Sequence, residues 1–383
     1  MIHPYELKAE DVRAYTLQTM KAHLAIPAAG YCCTTEMIFD VLMKASAECS
    51  SLEAACADLE AVADSNTVRA YLNQALPVKE LREQERQVNR ALADCIPTRL
   101  ARKGIEAAID FHDEPFYGKQ ESTRAVTCSG QAKKGTTHFI RIATVYVIWR
   151  QVRLTLAVHY VLPGETVLEV LKILLNCLKN LAFEAKILYL DKGFAATPIV
   201  SYLTAQNQPT LIANPIRGKK AGTRALCRGR SSYKTEYTFT DGTQATLAMK
   251  ACLVPDKTGK LRRKWLSFIV ILLDWSPDKI YQHYRRRFGV ECSYRLLRRV
   301  RATTTSRNPA LRFFLLGIGL ILTNAWVFLR WEFARLLSRG PQRVDETRFR
   351  LHRFRKLLIR SIEQLYGTIS AIPTHQSPQS VIY

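Results

Sequence analysis

The sequence predicts an α/β protein: a mixed sheet with helices packed on it, preceded and followed by helical parts. Three observations predict it. Three consecutive strand patterns lie between residues 104 and 161, strand and helix patterns then alternate to residue 213, and the first 98 residues are rich in Glu, Ala, Leu and Gln with few β-branched runs. A chain of 383 residues, 48% hydrophobic and 9% aromatic, can build the cores of two or three domains, which excludes a disordered tail or a small disulfide scaffold.

Residues 1–98 read as helical. Within them Ser51-Leu-Glu-Ala-Ala-Cys precedes a short break and then Ser65-Asn-Thr-Val-Arg-Ala-Tyr-Leu-Asn-Gln, where Ser65 is the predicted N-cap and Val68, Tyr71 and Leu72 fall at helical spacing. Two readings stand: a helix-turn-helix DNA reader presenting Asn66, Thr67 and Arg69, or an ordinary helical hairpin. Beyond Pro97 the strands are Gly104 to His112, His138 to Ile148 and Val152 to Val161, followed by a Pro163-Gly164 break. Thr166 and Glu169 form a capping-box pair heading an apolar helix to about Phe183. Strand Lys186 to Asp191, a helix from about Ala196 to Gln206 and strand Pro209 to Ala213 complete the order βββαβαβ.

Residues 214–264 lapse into Gly, Thr, Arg and Lys with alternating stretches at Tyr233 to Thr240 and Thr246 to Val254, which predicts a β-rich insertion. The main pattern resumes with Trp265 to Leu273 and a helix from about Pro277 to Arg301. The predicted units are therefore 1–98 helical, 99–213 first part of the core, 214–264 insertion, 265–335 second part of the core, and 336–383 a basic helix near Glu346 to Tyr366 with a Ser/Pro tail. Phe313 to Leu329 is apolar for 17 residues but contains Thr323 and Asn324. It falls short of the roughly 20 residues a bilayer span needs, so a buried core helix is expected rather than a membrane anchor.

Charge is unevenly placed. The whole chain carries 56 Lys and Arg against 33 Asp and Glu, a net +23, yet the first 100 residues hold 10 against 14 and the rest 46 against 19. A basic field of that size favours a polyanion, nucleic acid before an anionic membrane surface, and the acidic first part argues against strong DNA affinity residing there alone. Ten cysteines include no C-x-x-C spacing, so zinc ribbons and thioredoxin-like motifs are unsupported; Cys177 sits among leucines as a reduced thiol would. With no basic start and apolar run at the N-terminus, the expected location is the cytoplasm, at the nucleoid.

Two acids stand where strands end. Asp110 closes Ala107 to Ile109, and Asp191 closes Ile187 to Leu190. A carboxylate at the end of a buried strand is held rigidly, as a metal ligand must be, although a single such Asp more often caps the following turn. Tyr284, Arg287, Glu291 and Arg298 follow at offsets of 0, 3, 7 and 14, close to whole helical turns and thus on one face. A lone Glu among arginines can be a plain ion-pair partner; a stripe of Tyr, Arg, Glu and Arg suits holding phosphate beside a metal.

Ile109-Asp110-Phe-His-Asp-Glu-Pro-Phe-Tyr117-Gly118, Tyr189-Leu-Asp191-Lys-Gly-Phe194 and Tyr284 to Arg298, in that order, resemble the DDE insertion-sequence transposases with an RNase H-like catalytic domain. The likeness is to the cut-and-paste group with a Tyr-x2-Arg-x3-Glu-x6-Lys signature, within it the group first known from haloarchaea, and it extends from about residue 1 to 335. The resemblance implies an RNase H-like core split by a β-rich insertion. It implies Asp110, Asp191 and Glu291 as a metal-binding triad for two Mg²⁺ ions, with Mn²⁺ able to substitute, and Tyr284 and Arg287 near transposon-end phosphates. Arg298 stands where the signature has Lys, keeping the charge but replacing a flexible ammonium with a planar fork. Asp113 lies three residues from Asp110; Asp110 is preferred because it continues the apolar strand.

Three acids suit the chemistry, since two metal ions ~4 Å apart can activate the attacking oxygen and stabilise the leaving one. The implied activity is DNA transposition: end cleavage by water, then strand transfer by the 3′-hydroxyl, through a hairpin in relatives. The implied partners are double-stranded DNA at transposon ends and target, a homodimer in the synaptic complex, and no membrane. The rival reading is a decayed or domesticated copy that binds DNA without transposing; a membrane-anchored protein rests on Phe313 to Leu329 alone.

Overall fold

Short polar residues start the first helices. In the computed structural model α1 (Ala9–His23) is followed by α2 (Thr35–Glu48), behind Thr34, and α3 (Leu52–Ala57), behind Ser51; both hydroxyls accept an amide hydrogen bond from the first turn. α4 (Ser65–Ala75) begins behind Asp64, whose carboxylate accepts from the Asn66 amide at 2.8 Å. Ser65, the predicted cap, is instead the first helical residue and is buried; the charged Asp both satisfies the amide and complements the helix dipole. α5 (Leu81–Asp94) ends the first part. The described residues are 6–31, 33–98, 100, 102–118, 123–149, 152–219, 221–336 and 343–371, without the side chains at 149, 152 and 290–292; the end of the Ser/Pro tail lies outside them.

The sheet has nine strands. β1 (Lys103–Pro115), β2 (Cys128–Lys133), β3 (Thr136–Trp149) and β4 (Val152–Val161) come first. β3 pairs antiparallel with β1 along one edge and with β2 and β4 along the other. α6 (Val167–Asn180) carries the predicted Thr166/Glu169 capping box and leads to β5 (Glu184–Leu190), which runs parallel to β1. α7 (Thr197–Ala205) then leads to β6 (Thr210–Asn214), parallel to β5. The predicted order holds, with one added strand: β2, whose Cys-Ser-Gly-Gln-Ala-Lys carries no β-branched signal and is recruited by pairing with β3.

β7 (Tyr233–Thr238), β8 (Gln244–Pro255) and β9 (Leu261–Ile271) form the β-rich stretch. They join the main sheet, because β9 pairs antiparallel with β6. The expected boundary at 264/265 therefore falls inside β9: the exposed tip of the β8–β9 hairpin reads as insertion and its buried base reads as core.

The expected single helix to Arg301 is broken. It comprises α8 (Pro277–Tyr284), a 3₁₀ turn at Arg285–Arg287 and α9 (Phe288–Leu297). α10 (Pro309–Phe333) contains the apolar segment and is a core helix, with 89% of its most apolar window buried. It packs on β4 and on α1, α2 and α5. A Cβ on Gly317 would lie 2.7 Å from Val88 of α5, so that crossing requires glycine. Asn324 is satisfied in this apolar setting by both backbone groups of Thr155, at 3.2 and 2.8 Å. α11 (Leu351–Tyr366) returns to the first helices.

Candidate active site

β1 and β5 bring two acids level. Ile109 pairs with Leu190 in the parallel register, so Asp110 and Asp191 are the next residues along neighbouring strands, whose backbones run ~4.8 Å apart. Asp191 caps a short turn, accepting from the Gly193 amide at 2.8 Å, and a Cβ on Gly193 would sit 3.0 Å from the same carboxylate oxygen. Phe111, next to Asp110, and Phe194, three residues after Asp191, stack with centroids 5.1 Å apart and hold β1 and the turn after β5 together at the level of the acids.

The α8–α9 face crosses this end of the sheet. Tyr284 donates its hydroxyl to the Leu190 carbonyl at 3.0 Å, fixing the residue before Asp191. Arg287, 7% exposed, places a guanidinium nitrogen 3.0 Å from Asp110 Oδ1. Tyr294 reaches the Asp110 carbonyl at 3.2 Å and shares a 2.7 Å hydrogen bond with the Thr144 hydroxyl. Arg286 bonds Glu106 of β1 at 2.6 Å. Residues 284, 287 and 294 are thus seated on β1 and β5 from one stripe, and Glu291 occupies the position between Arg287 and Tyr294 on that stripe. Its side chain lies outside the described residues. Tyr284 is itself buried, so the structure gives it a positioning contact beneath the acids.

Electrostatics mark the same spot. Burial lifts the Asp110 carboxyl to about 6; Arg287 works against that rise and the neighbouring Asp191 charge works with it. Paired oxygen donors under mutual repulsion are a setting that fits a hard divalent cation. Asp113 has a different environment. Three residues along a strand put it on the opposite face from Asp110, where Arg141 meets it at 2.7 Å. On Asp110's own face, two residues along β1, His112 stacks on Tyr294 with centroids 4.6 Å apart and bonds Glu114 at 2.7 Å. Although burial opposes it, His112 and Arg301 hold the Glu114 carboxyl down at about 2.

The other sequence-predicted residues lie apart from the acids' contacts. Arg298 is exposed at the end of α9. Asn66 and Arg69 are exposed on α4 and bond each other at 2.6 Å. Sequence reasoning missed Tyr294 and Thr144; the signal was available, since Tyr294 sits three residues after Glu291 on the same stripe.

A second acidic group, Glu48, Asp58 and Glu363, has oxygens within 4.8 Å of one another. Its centre is filled by Lys44, whose ammonium meets the three at 2.6, 2.6 and 2.9 Å.

No family model and no curated protein matches the chain. Its fold is similar to that of the piggyBac transposase, solved by cryo-EM in a synaptic complex with hairpin DNA: the TM-score is 0.58 at 12% identity, over 94% of this chain and 78% of that one.

Proposed function

We propose that the chain is a DNA transposase of the DDE type, which cuts an insertion sequence free at its ends and joins it to target DNA. The observation that carries this reading is the convergence of Asp110, Asp191 and the Arg287-to-Tyr294 face at one end of the sheet, within a fold similar to a transposase's. The strand order β4-β3-β1-β5-β6, antiparallel and then parallel, supports an RNase H-like core. Asp110, Asp191 and Glu291 would hold the divalent ions, two Mg²⁺ with Mn²⁺ as substitute, which supply activation of the attacking oxygen and neutralise charge on the leaving one.

The chain's own residues do the rest. Tyr284 and Tyr294 pin the backbones that carry the acids, so the carboxylates are organised before substrate arrives. Arg287, now paired with Asp110, would turn to a phosphate held at the acids once Asp110 takes a metal ion, and Arg298 would extend the cationic stripe outward. Water attacks the phosphodiester first and frees a 3′-hydroxyl; that hydroxyl attacks the opposite strand to give a hairpin. A second water opens the hairpin and restores the 3′-hydroxyl, and the restored hydroxyl then attacks the target, releasing a target 3′-hydroxyl as leaving group. The hairpin DNA in the neighbour's complex supports that order.

Duplex binding falls to the basic stretches around the β8–β9 hairpin, where five described Lys and Arg between 217 and 230 and five more between 257 and 264 are all exposed. Arg263 joins the two stretches through the Gly229 carbonyl at 3.2 Å. Two copies of the chain, one per end, form the synaptic assembly. Asn66 and Arg69 on α4 offer base-edge contacts, so replacing both by Ala should erase preference for end DNA over scrambled DNA in competition at fixed salt, with general affinity kept.

Asp110→Asn, Asp191→Asn and Glu291→Gln should each reduce metal-dependent cleavage of end DNA to background while leaving the fold intact, and Asp113→Asn should cleave normally. Cleavage retained in all three variants rejects the reading; an active Asp110→Asn beside an inactive Asp113→Asn moves the first ligand to Asp113.

A further inference from the structure

β1 runs past the acids. β5 ends level with Ile109, so residues 111–115 of β1 are paired only with β3 among the described residues. Glu114 lies four residues beyond Asp110, ~13 Å along an extended strand. This overhang opens onto two adjoining hollows of about 230 and 450 Å³ that share Glu114, Thr304 and Arg312.

The hollows are framed by spent charges and faced by available ones. Arg312 donates to the Ser306, Thr304 and Pro115 carbonyls at 2.6, 3.4 and 3.3 Å, locking the loop before α10 against the end of β1. Arg301 neutralises Glu114 at 2.5 Å. Lys134, on the β2–β3 turn, and Arg307, on the loop before α10, are exposed, and among the described residues no carboxylate lies within ion-pair distance of either. Tyr117, a residue 56% exposed, lines the larger hollow, and its hydroxyl donates a 2.7 Å hydrogen bond to the Lys134 carbonyl. Cations meet phosphates, and an exposed aromatic ring meets the face of an unpaired base; the two together are how single strands are held without sequence preference.

We propose that this groove binds an unpaired stretch of DNA adjoining the reaction centre, with Lys134 and Arg307 on its phosphates and a base stacked on Tyr117, an inference that rests on the transposase reading. The groove's wall connects to the acids through Glu114, His112 and Tyr294.

The test is fluorescence anisotropy of the full chain in metal-free buffer with two probes, a single-stranded oligothymidylate of about 20 nucleotides and a fully paired duplex of the same length. Lys134→Ala with Arg307→Ala should weaken oligothymidylate binding about tenfold and flatten its log–log salt slope by roughly 1.4, since each phosphate contact on a single strand contributes about 0.7. Tyr117→Ala should cost on the order of tenfold, and Tyr117→Phe, which keeps the ring, should bind as wild type. All three sites are exposed, so the variants fold. Unchanged oligothymidylate affinity in both alanine variants overturns the groove, as does an equal loss on duplex, which would make it a duplex backbone surface. A wild-type chain that binds neither probe rejects the transposase reading itself.

Discussion

Asp110 within β1 and Asp191 at the end of β5, and the acids between α2, α3 and α11, both meet a cation, but from opposite directions. Glu48, Asp58 and Glu363 enclose Lys44, which is wholly buried, as a cavity lining encloses its ligand. Burial alone would lower that ammonium's pKa; Asp58, Glu48 and Glu363 outweigh it and hold the group above the ordinary lysine range. Asp110 is met from the edge, by an arginine on the same helical face that carries Glu291, while Asp191 turns one oxygen to the Gly193 amide. Spacing among carboxylates is thus a poor guide to metal binding. What distinguishes the clusters is whether the chain supplies its own positive charge at the centre.

Removing that centre should have the largest effect. Lys44→Ala leaves three carboxylates facing one another and should cost about 3 kcal/mol in denaturant unfolding, the low end for a broken buried pair because Asp58 is half exposed. Millimolar Mn²⁺ should recover part of the loss in Lys44→Ala and none in wild type at this cluster, by binding the folded form.

A pH effect comes next. A carboxyl whose pKa is about 6 when folded, above its ordinary 3.8, holds its proton more tightly in the folded chain. Its stabilising contribution is complete below about pH 4 and is lost as pH rises through about 6, by about 3 kcal/mol. In metal-free buffer the unfolding free energy of wild type minus that of Asp110→Asn should therefore decline between pH 4 and 7; a flat difference would mean that Asp110 is not strained by its surroundings. The smallest effect is expected beneath the acids. Tyr284→Phe removes one buried hydrogen bond to Leu190 and should cost about 1 kcal/mol of stability, with DNA affinity unchanged. A loss of affinity without loss of stability would return Tyr284 to the phosphates.

Local chemistry made some of this legible and long-range packing hid the rest. Asp110 and Asp191 could be read because apolar runs stop at them, and the Tyr284–Arg287–Glu291 stripe because helical spacing survives the 3₁₀ turn at 285–287. The sequence does not show that Tyr284 faces a strand end, because its partner Leu190 is 94 residues away. Lys44 reads as an ordinary helical lysine until Glu363, 319 residues on, reaches it. The β8–β9 hairpin reads as a β-rich insertion because its tip is basic and exposed; that its base pairs with β6 depends on a long-range contact the sequence does not show. In α4, Asp64 and Ser65 are both good caps, and the chain uses the one whose charge suits the helix start.

The central claim is that Asp110 and Asp191, rather than the acids around Lys44, bind the divalent ion. Mn²⁺ binding followed by paramagnetic resonance in wild type, Asp110→Asn with Asp191→Asn, and Glu48→Gln with Glu363→Gln tests it most directly. The account predicts that the first pair of substitutions abolishes Mn²⁺ binding and the second leaves it at the wild-type level. Binding that survives the loss of both aspartates, or disappears with Glu48 and Glu363, would contradict it.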